Sequence, residues 1–211
     1  MTIEGDSGDY DLLSAWSDKI AKRFAKKPAI LTAEIGVRKG LGSKLIMNYV
    51  RGAYKNAHFH IGIDPYGDLK YEHYDKGEAV TMDYNQKMLS ELKKDFAEEK
   101  RFTLFNTTDE HFMDKYFWGV EFFDEGKQYL INEYALVHFD GPHKTSDVLV
   151  EAVFFAKRSA PGSVFIFDDW KTYKSSVVRD CMREFGFEFI SNGQRKMVME
   201  RKDGWYTMEG N

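Results

Sequence analysis

Three aspartates define the chemistry to look for. Asp140 closes the run Tyr134-Ala-Leu-Val-His-Phe-Asp140 and is followed by Gly141, Pro142 and His143, while Asp168 and Asp169 close Ser163-Val-Phe-Ile-Phe-Asp-Asp169. Convergent carboxylates repel one another, which predicts a bound cation or a raised pKa. Their hard oxygens suit Mg²⁺, with Ca²⁺ or Mn²⁺ as alternatives. His143 adds an imidazole able to take a proton near neutral pH, with Lys144 beside it in reserve. A second polar set lies earlier, in Glu34-Ile-Gly36-Val-Arg-Lys-Gly40-Leu-Gly42-Ser43. Glycines at a strand-to-helix turn let the backbone approach a ligand, and the free N–H groups of a helix start can bind an anion. The turn is not the GxGxxG of dinucleotide enzymes, and Gly42-Ser43-Lys44 reverses the order a P-loop requires. Asp64 closes a further apolar run, where an acid is placed to accept hydrogen bonds from both ribose hydroxyls of a nucleoside. Its plainer alternative is a turn cap before Pro65.

These groups need elements to position them. The runs ending at Asp140 and Asp169 read as buried strands, short, apolar and bounded by Gly and Pro. Between them, roughly residues 146 to 159, Val148, Leu149, Ala152, Val153 and Ala156 recur at helical spacing. A strand-helix-strand unit makes the two strands parallel and neighbouring, so their acidic ends meet at one edge of the sheet, where open α/β sheets bind ligands. The rest alternates in the same way. An amphipathic helix spans 11 to 26 and ends before Pro28; strands follow at Ala29–Ile35, His58–Ile63 and Arg101–Phe105, with helices near 43–54 and 79–98. Residues 107–132 form an aromatic connection. A helix near 175–185 precedes strands at Phe187–Ile190 and Lys196–Arg201, joined through Asn192-Gly193, a strong hairpin signal.

Composition narrows the function classes. The 211 residues suffice for one α/β domain, with 17 Phe and 12 Tyr as packing material. A net charge of -4 gives no electrostatic case for nucleic-acid binding. The basic run Lys19, Lys22, Arg23, Lys26, Lys27 reads as a solvated helix face. The one cysteine, Cys181, fits a reducing, cytoplasmic setting. No stretch reaches the roughly 20 apolar residues of a membrane span, and the acidic N-terminus lacks the features of a signal peptide.

Four motifs in order, Glu34-x-Gly36-x-x-x-Gly40, Ile61-Gly-Ile-Asp64, Phe139-Asp-Gly-Pro-His143 and Pro161-Gly-Ser-Val-Phe-Ile-Phe-Asp-Asp169, give the chain its resemblance to class I S-adenosylmethionine-dependent methyltransferases. Within them it resembles the small O-methyltransferases of the catechol and macrocin types. The resemblance covers about residues 30 to 202. It implies a Rossmann-like three-layer α/β sandwich whose mostly parallel, seven-stranded sheet ends in an antiparallel hairpin. Residues 1–28 would be a helical extension and 29–211 a single methyltransferase domain with aromatic-rich insertions near 66–78 and 107–132. The resemblance assigns Glu34, Gly36 and Gly40 to the methionine end of the cofactor and Asp64 to the ribose. Thr107, Thr108 and Asp109 fall near the adenine. Ser43 would hold the methionine carboxylate, one residue later than the family's usual Ser or Thr, whose place Gly42 takes. Asp140, Asp168 and Asp169 match the metal ligands of the metal-dependent members, and His143 the proton acceptor. The expected activity is transfer of a methyl group to a hydroxyl of a sugar, polyol or phenol, with Mg²⁺ assisting. Tyr66, Tyr71, Tyr74, Phe112, Tyr116, Phe117, Trp118, Phe122 and Phe123 would form the acceptor wall or a homodimer contact, with Trp170 at the rim. A nucleotide-cofactor oxidoreductase and a noncatalytic cofactor-binding module are the alternatives.

Overall fold

In a computed structural model, residues 8–67, 70–76, 80–81 and 84–202 are described. The chain runs α1 (Tyr10–Arg23), β1 (Ala29–Ile35), α2 (Leu41–Ala53), β2 (Ala57–Ile63), β3 (Lys70–Tyr71), β4 (Val80–Thr81), α3 (Gln86–Asp95) and β5 (Phe102–Phe105). It continues through α4 (Asp109–Lys115), β6 (Val120–Asp124), β7 (Lys127–Ile131), β8 (Tyr134–Phe139), α5 (Thr145–Ala156), β9 (Ser159–Phe167), α6 (Ser175–Arg183), β10 (Phe187–Asn192) and β11 (Met197–Arg201).

Seven strands form one sheet in the order β10-β11-β9-β8-β1-β2-β5. All neighbours are parallel except β11, which runs antiparallel to both β9 and β10. β8 and β9 are adjacent and parallel, so the strands that carry the acids end side by side. The order reverses between β1 and β8, and there two adjacent strands send their connections to opposite sides and open a crevice at the C-terminal edge.

Alternation along each strand divides the core between the two faces. One face packs Phe59, Val137, Phe165 and Phe187 against α4, α5 and α6. The other packs Leu136, Val164, Ile166 and Val198 against Leu13, Trp16 and Ile20 of α1 and Ile46 and Val50 of α2. α1 is therefore built into the core. Its basic residues Lys22 and Arg23 are solvent-facing and paired with Asp18 and Glu200, and Lys27, beyond the helix, pairs with Glu133.

Two connections differ from the sequence expectation. Val80–Thr81 pairs with Lys70–Tyr71 as a short antiparallel ribbon instead of opening a helix at 79. β-Branched Val and Thr favour strand, and α3 begins only where the Asn85 side chain accepts from Met88 N–H at 3.0 Å. Ala79 itself lies outside the described residues, as do residues 1–7 of the acidic N-terminus. The aromatic connection at 107–132 contains α4 and a hairpin of β6 and β7. Its turn residues Glu125 and Gly126 both have positive φ, the backbone a two-residue hairpin requires.

Candidate active site

The reversal point of the sheet opens into a cavity of about 480 Å³. One end is the turn after β1. Gly36 has φ +80°, and a Cβ there would sit 2.1 Å from the Asp140 carbonyl oxygen, so only glycine lets the two strand ends close up. Asp64, 1 % exposed, braces this turn: its Oδ2 accepts from Val37 N–H at 2.8 Å and Arg38 N–H at 2.7 Å. Burial pushes its carboxyl up to about 7 despite those two donors. Thr108 and Asp109 face the same end from the start of α4. Burial raises the Asp109 carboxyl, and it drives the neighbouring, fully buried Glu151 well above its ordinary range.

Glu34 lies at the cavity floor with both oxygens engaged. Oε2 accepts from Ser43 Oγ at 2.5 Å, and Oε1 from His138 Nδ1 at 2.8 Å. A polar chain continues beneath the sheet surface, from Ser43 to His60, to Thr32 and to His58. Burial holds His60 neutral, its pKa near 3. This arrangement accounts for Gly42. A Cβ at that position would lie 1.8 Å from Glu34 Oε1, so the Ser or Thr expected there would displace the Glu34 carboxylate from this position. It also corrects the role expected of Ser43, which is fully buried, donates to Glu34 and does not line the cavity. Gly40 is likewise away from the cavity; its φ is +84° and a Cβ would strike Leu92 and Phe96, so it serves the packing of α2 on α3.

At the other end stand Asp140, His143, Asp168 and Asp169. The three acids line one cavity, but among the described residues the group of three whose ligand atoms lie within 4.8 Å of one another is Glu34, His138 and Asp140 and not this trio, and Asp168 and Asp169 are each paired with a cation. Lys196, fully buried at the start of β11, donates through Nζ to Asp168 Oδ1 at 2.9 Å. Arg195 grips Asp169 with a two-pronged fork, Nε to Oδ1 at 2.7 Å and Nη2 to Oδ2 at 2.6 Å. Asp140 faces Asp168; burial first, and then that neighbouring acid, lift its carboxyl well above the usual range. Sequence reasoning missed Lys196 and Arg195 because they lie beyond the last hairpin turn. The signal was present in the antiparallel register, which sets Met197 opposite Phe167 and hence residue 196 across from 168.

His143 is held by the connection after β2. Its backbone N–H donates to the His73 carbonyl at 2.9 Å, and its Nδ1 lies 2.8 Å from His73 Nε2. Nε2 is buried, has no hydrogen-bond partner among the described residues, and stands 4.0 Å from Asp169 Oδ2. Burial lowers its pKa, with Asp169 opposing, and His73 falls to about 4 through burial and the charge of His143. Asp75 caps the start of α5 by accepting from Thr145 N–H at 2.7 Å and Thr145 Oγ1 at 2.6 Å. Lys144 is outside the cavity lining and pairs with Glu72.

Most of the expected aromatic wall is elsewhere. Phe112 and Phe122 are in the core with Tyr116 packed against them, and Tyr66 is buried with its hydroxyl donating to the Arg38 carbonyl. Phe117, Trp118 and Phe123 are exposed and do not line the cavity, and neither does Trp170. The aromatic lining comes from Tyr10, Tyr74 and Tyr84, together with His73.

A divalent cation fits these residues poorly as they stand, because both oxygens of Asp169 and one of Asp168 are taken by side-chain cations. Glu34, His138 and Asp140 offer another set, with ligand atoms within 4.8 Å of one another. In that group Glu34 accepts from Ser43 and lies against His138 Nδ1, while His138 Nε2 is buried without a hydrogen-bond partner among the described residues.

No protein-family model matches the chain, and no curated protein does. Solved structures do. An O-methyltransferase from Bacillus cereus in complex with SAH aligns with a TM-score of 0.55 at 11% identity, over 93% of this chain and 83% of that one. The O-methyltransferase TomG from Streptomyces achromogenes, involved in tomaymycin synthesis and in complex with SAM, aligns at 0.51 and 12% identity, over 89% and 80%. A putative rRNA methylase from Clostridium thermocellum aligns at 0.53 and 12% identity, over 96% and 99%. The chain therefore shares the α/β Rossmann-like fold of these methyltransferases, with a mostly parallel seven-stranded sheet in which β11 is reversed.

Proposed function

We propose that this protein is an S-adenosylmethionine-dependent O-methyltransferase acting on a hydroxyl of a small acceptor, such as a sugar, polyol or phenol. One observation carries the reading: a single cavity joins the Gly36 turn, braced by Asp64, to an acid-and-histidine cluster at the same sheet edge. The first half suits the nucleoside and methionine of the cofactor. The second suits removal of a proton from an attacking hydroxyl.

The chemistry assigned to the residues is direct. The acceptor oxygen forms a bond to the sulfonium methyl as the sulfur–carbon bond breaks, and the hydroxyl proton passes to His143 Nε2. Nε2 is the unpartnered ring nitrogen, and burial keeps it uncharged at neutral pH. To accept there, His143 carries its other proton on Nδ1 and donates it to His73. The imidazolium that results faces Asp169, whose carboxylate Arg195 holds in place. The net charge of -4 and the acid-rich cavity favour a small acceptor over RNA.

Metal-assisted transfer is the second reading, supported by the Glu34, His138 and Asp140 group. A cation there would sharpen the acidity of the hydroxyl. Incubation with methyl-labelled cofactor and a panel of sugars, nucleotide-sugars and catechols, with and without Mg²⁺, tests both. Label in an acceptor hydroxyl supports the function. Cofactor binding without transfer to any acceptor favours a noncatalytic module, and binding of NAD in place of S-adenosylmethionine favours an oxidoreductase.

A further inference from the structure

We infer that Lys196 is the resident cation of this site: its ammonium pairs with Asp168, which lines the cavity together with Asp140, where a divalent ion would otherwise sit, so that cofactor binding needs no metal and loss of this one charge creates a metal site.

The position of Lys196 is fixed by three elements. The β9–β11 register brings it across from Asp168, and the 2.9 Å ion pair they form is buried on both sides. Asp9, just before α1, accepts from the backbone N–H of Arg195 at 2.7 Å and of Lys196 at 3.1 Å. The ring of Tyr10 lies 5.2 Å from Nζ. A flexible surface lysine could swing away to admit a metal; this one has its strand, its backbone donors and its aromatic neighbour all set.

Charge and coordination point the same way. Three carboxylates meet two side-chain cations, and Arg195 already satisfies both oxygens of Asp169. Mg²⁺ and Mn²⁺ bind through carboxylate oxygens and waters in near-octahedral geometry. An ammonium donates and cannot ligate while charged. A divalent ion at Asp168 would thus face Nζ at close range in a water-poor site, where like charges repel strongly. The two occupants exclude each other. Removing the ammonium leaves Asp140 and Asp168 side by side with one fewer counter-charge, which is the condition under which carboxylates recruit a hard cation.

The inference rests on the methyltransferase reading only for its clause on the cofactor, so the test keeps the two apart. The full-length chain, Lys196→Met and Lys196→Arg are titrated with Mn²⁺, with the free ion followed by electron paramagnetic resonance. Methionine keeps the length of the lysine stem without the charge. The wild type and Lys196→Arg should bind no Mn²⁺ below about 1 mM, and Lys196→Met should gain one site at least about tenfold tighter. Calorimetry with S-adenosylhomocysteine should give wild-type affinities within about twofold of each other in chelator and in Mg²⁺. Stoichiometric, sub-millimolar Mn²⁺ binding by the wild type would overturn the inference. So would a folded Lys196→Met that gains no site, or a cofactor affinity that collapses in chelator. If Lys196→Met does not fold, the wild-type titration and the chelator comparison still decide. If the homocysteine product does not bind under any condition, the cofactor reading fails, and the Mn²⁺ titrations decide the role of Lys196 on their own.

Discussion

Replacing Asp64 with asparagine should weaken cofactor binding and leave the fold intact, and the two effects can be separated by pH. Asp64 accepts two backbone N–H groups of the Gly36 turn and lines the cavity. Its carboxyl is raised from 3.8 to about 7, burial being the largest cause. The folded state therefore holds more protons than the unfolded state between these values. Stability from this group is greatest below pH 4 and is lost as pH rises through about 7. A shift of that size corresponds to roughly 4 kcal/mol as an upper bound. Asparagine retains an acceptor for the turn and removes the penalised charge, so at pH 8 the variant should unfold no earlier than the wild type. Alanine leaves both N–H groups without their acceptor and should cost about 1–3 kcal/mol. If the ionised carboxylate takes the ribose hydroxyls, wild-type affinity should rise about tenfold per pH unit up to about 7 and then level off. In Asp64→Asn the pH dependence should vanish and affinity at pH 8 should fall by about tenfold or more. Calorimetry with S-adenosylhomocysteine from pH 5.5 to 8.5, beside thermal melts, measures both. Equal affinities for wild type and Asp64→Asn, flat across pH 6 to 8, would refute the ribose assignment.

His143→Ala should lower turnover about 10²- to 10⁴-fold with cofactor affinity nearly unchanged, read by single-turnover methyl transfer; near-normal turnover would remove His143 from the chemistry. His73→Phe keeps a ring beside Tyr74 but removes the partner of His143 Nδ1; turnover should drop and the acid limb of its pH profile should move, whereas a purely structural role would change melting alone. Gly42→Ala places a Cβ against Glu34 Oε1 and should destabilise by about 1–3 kcal/mol, seen as a lower Tm in apo protein. Lys196→Met breaks a buried pair and should destabilise by about 3–5 kcal/mol at neutral pH; an unchanged Tm would mean the pair is not desolvated.

The cavity-bearing edge of this sheet was legible in the sequence because its strands are buried on both faces and read as short apolar runs ending in acids. The parallel pairing of the strands that end at Asp140 and Asp168, and the reversed last hairpin, follow from local signals that tertiary packing reinforces. The helix start at Gln86 and the hairpin at Glu125-Gly126 were less accessible. Asn85 gave a capping signal weaker than the apolar spacing before it, and Glu-Gly is a less familiar turn pair than Asn-Gly. Within the site, residue types revealed which groups gather but not how they pair. The salt bridges of Asp168 and Asp169 join residues 28 and 26 positions apart, across an antiparallel register that no single motif encodes. Ser43 could be assigned to the cofactor only while the fate of Glu34 was unknown; the Glu34 carboxylate beneath Gly42 turns that hydroxyl inward. The aromatic residues of 107–132 carry no periodic mark that separates core from wall: Phe112 and Phe122 are core, Tyr116 and Tyr129 pack against it, and Phe117, Trp118 and Phe123 are exposed.

The central claim is that the cavity at the β1–β8 reversal holds S-adenosylmethionine. Calorimetric titration of the purified chain with S-adenosylhomocysteine, with NADH as the control, tests it most directly. The account predicts saturable one-to-one binding of S-adenosylhomocysteine, lost in Gly36→Val because that side chain would press on the Asp140 carbonyl, and no heat from NADH. Binding of NADH alone, or S-adenosylhomocysteine binding that survives unchanged in Gly36→Val, would contradict it.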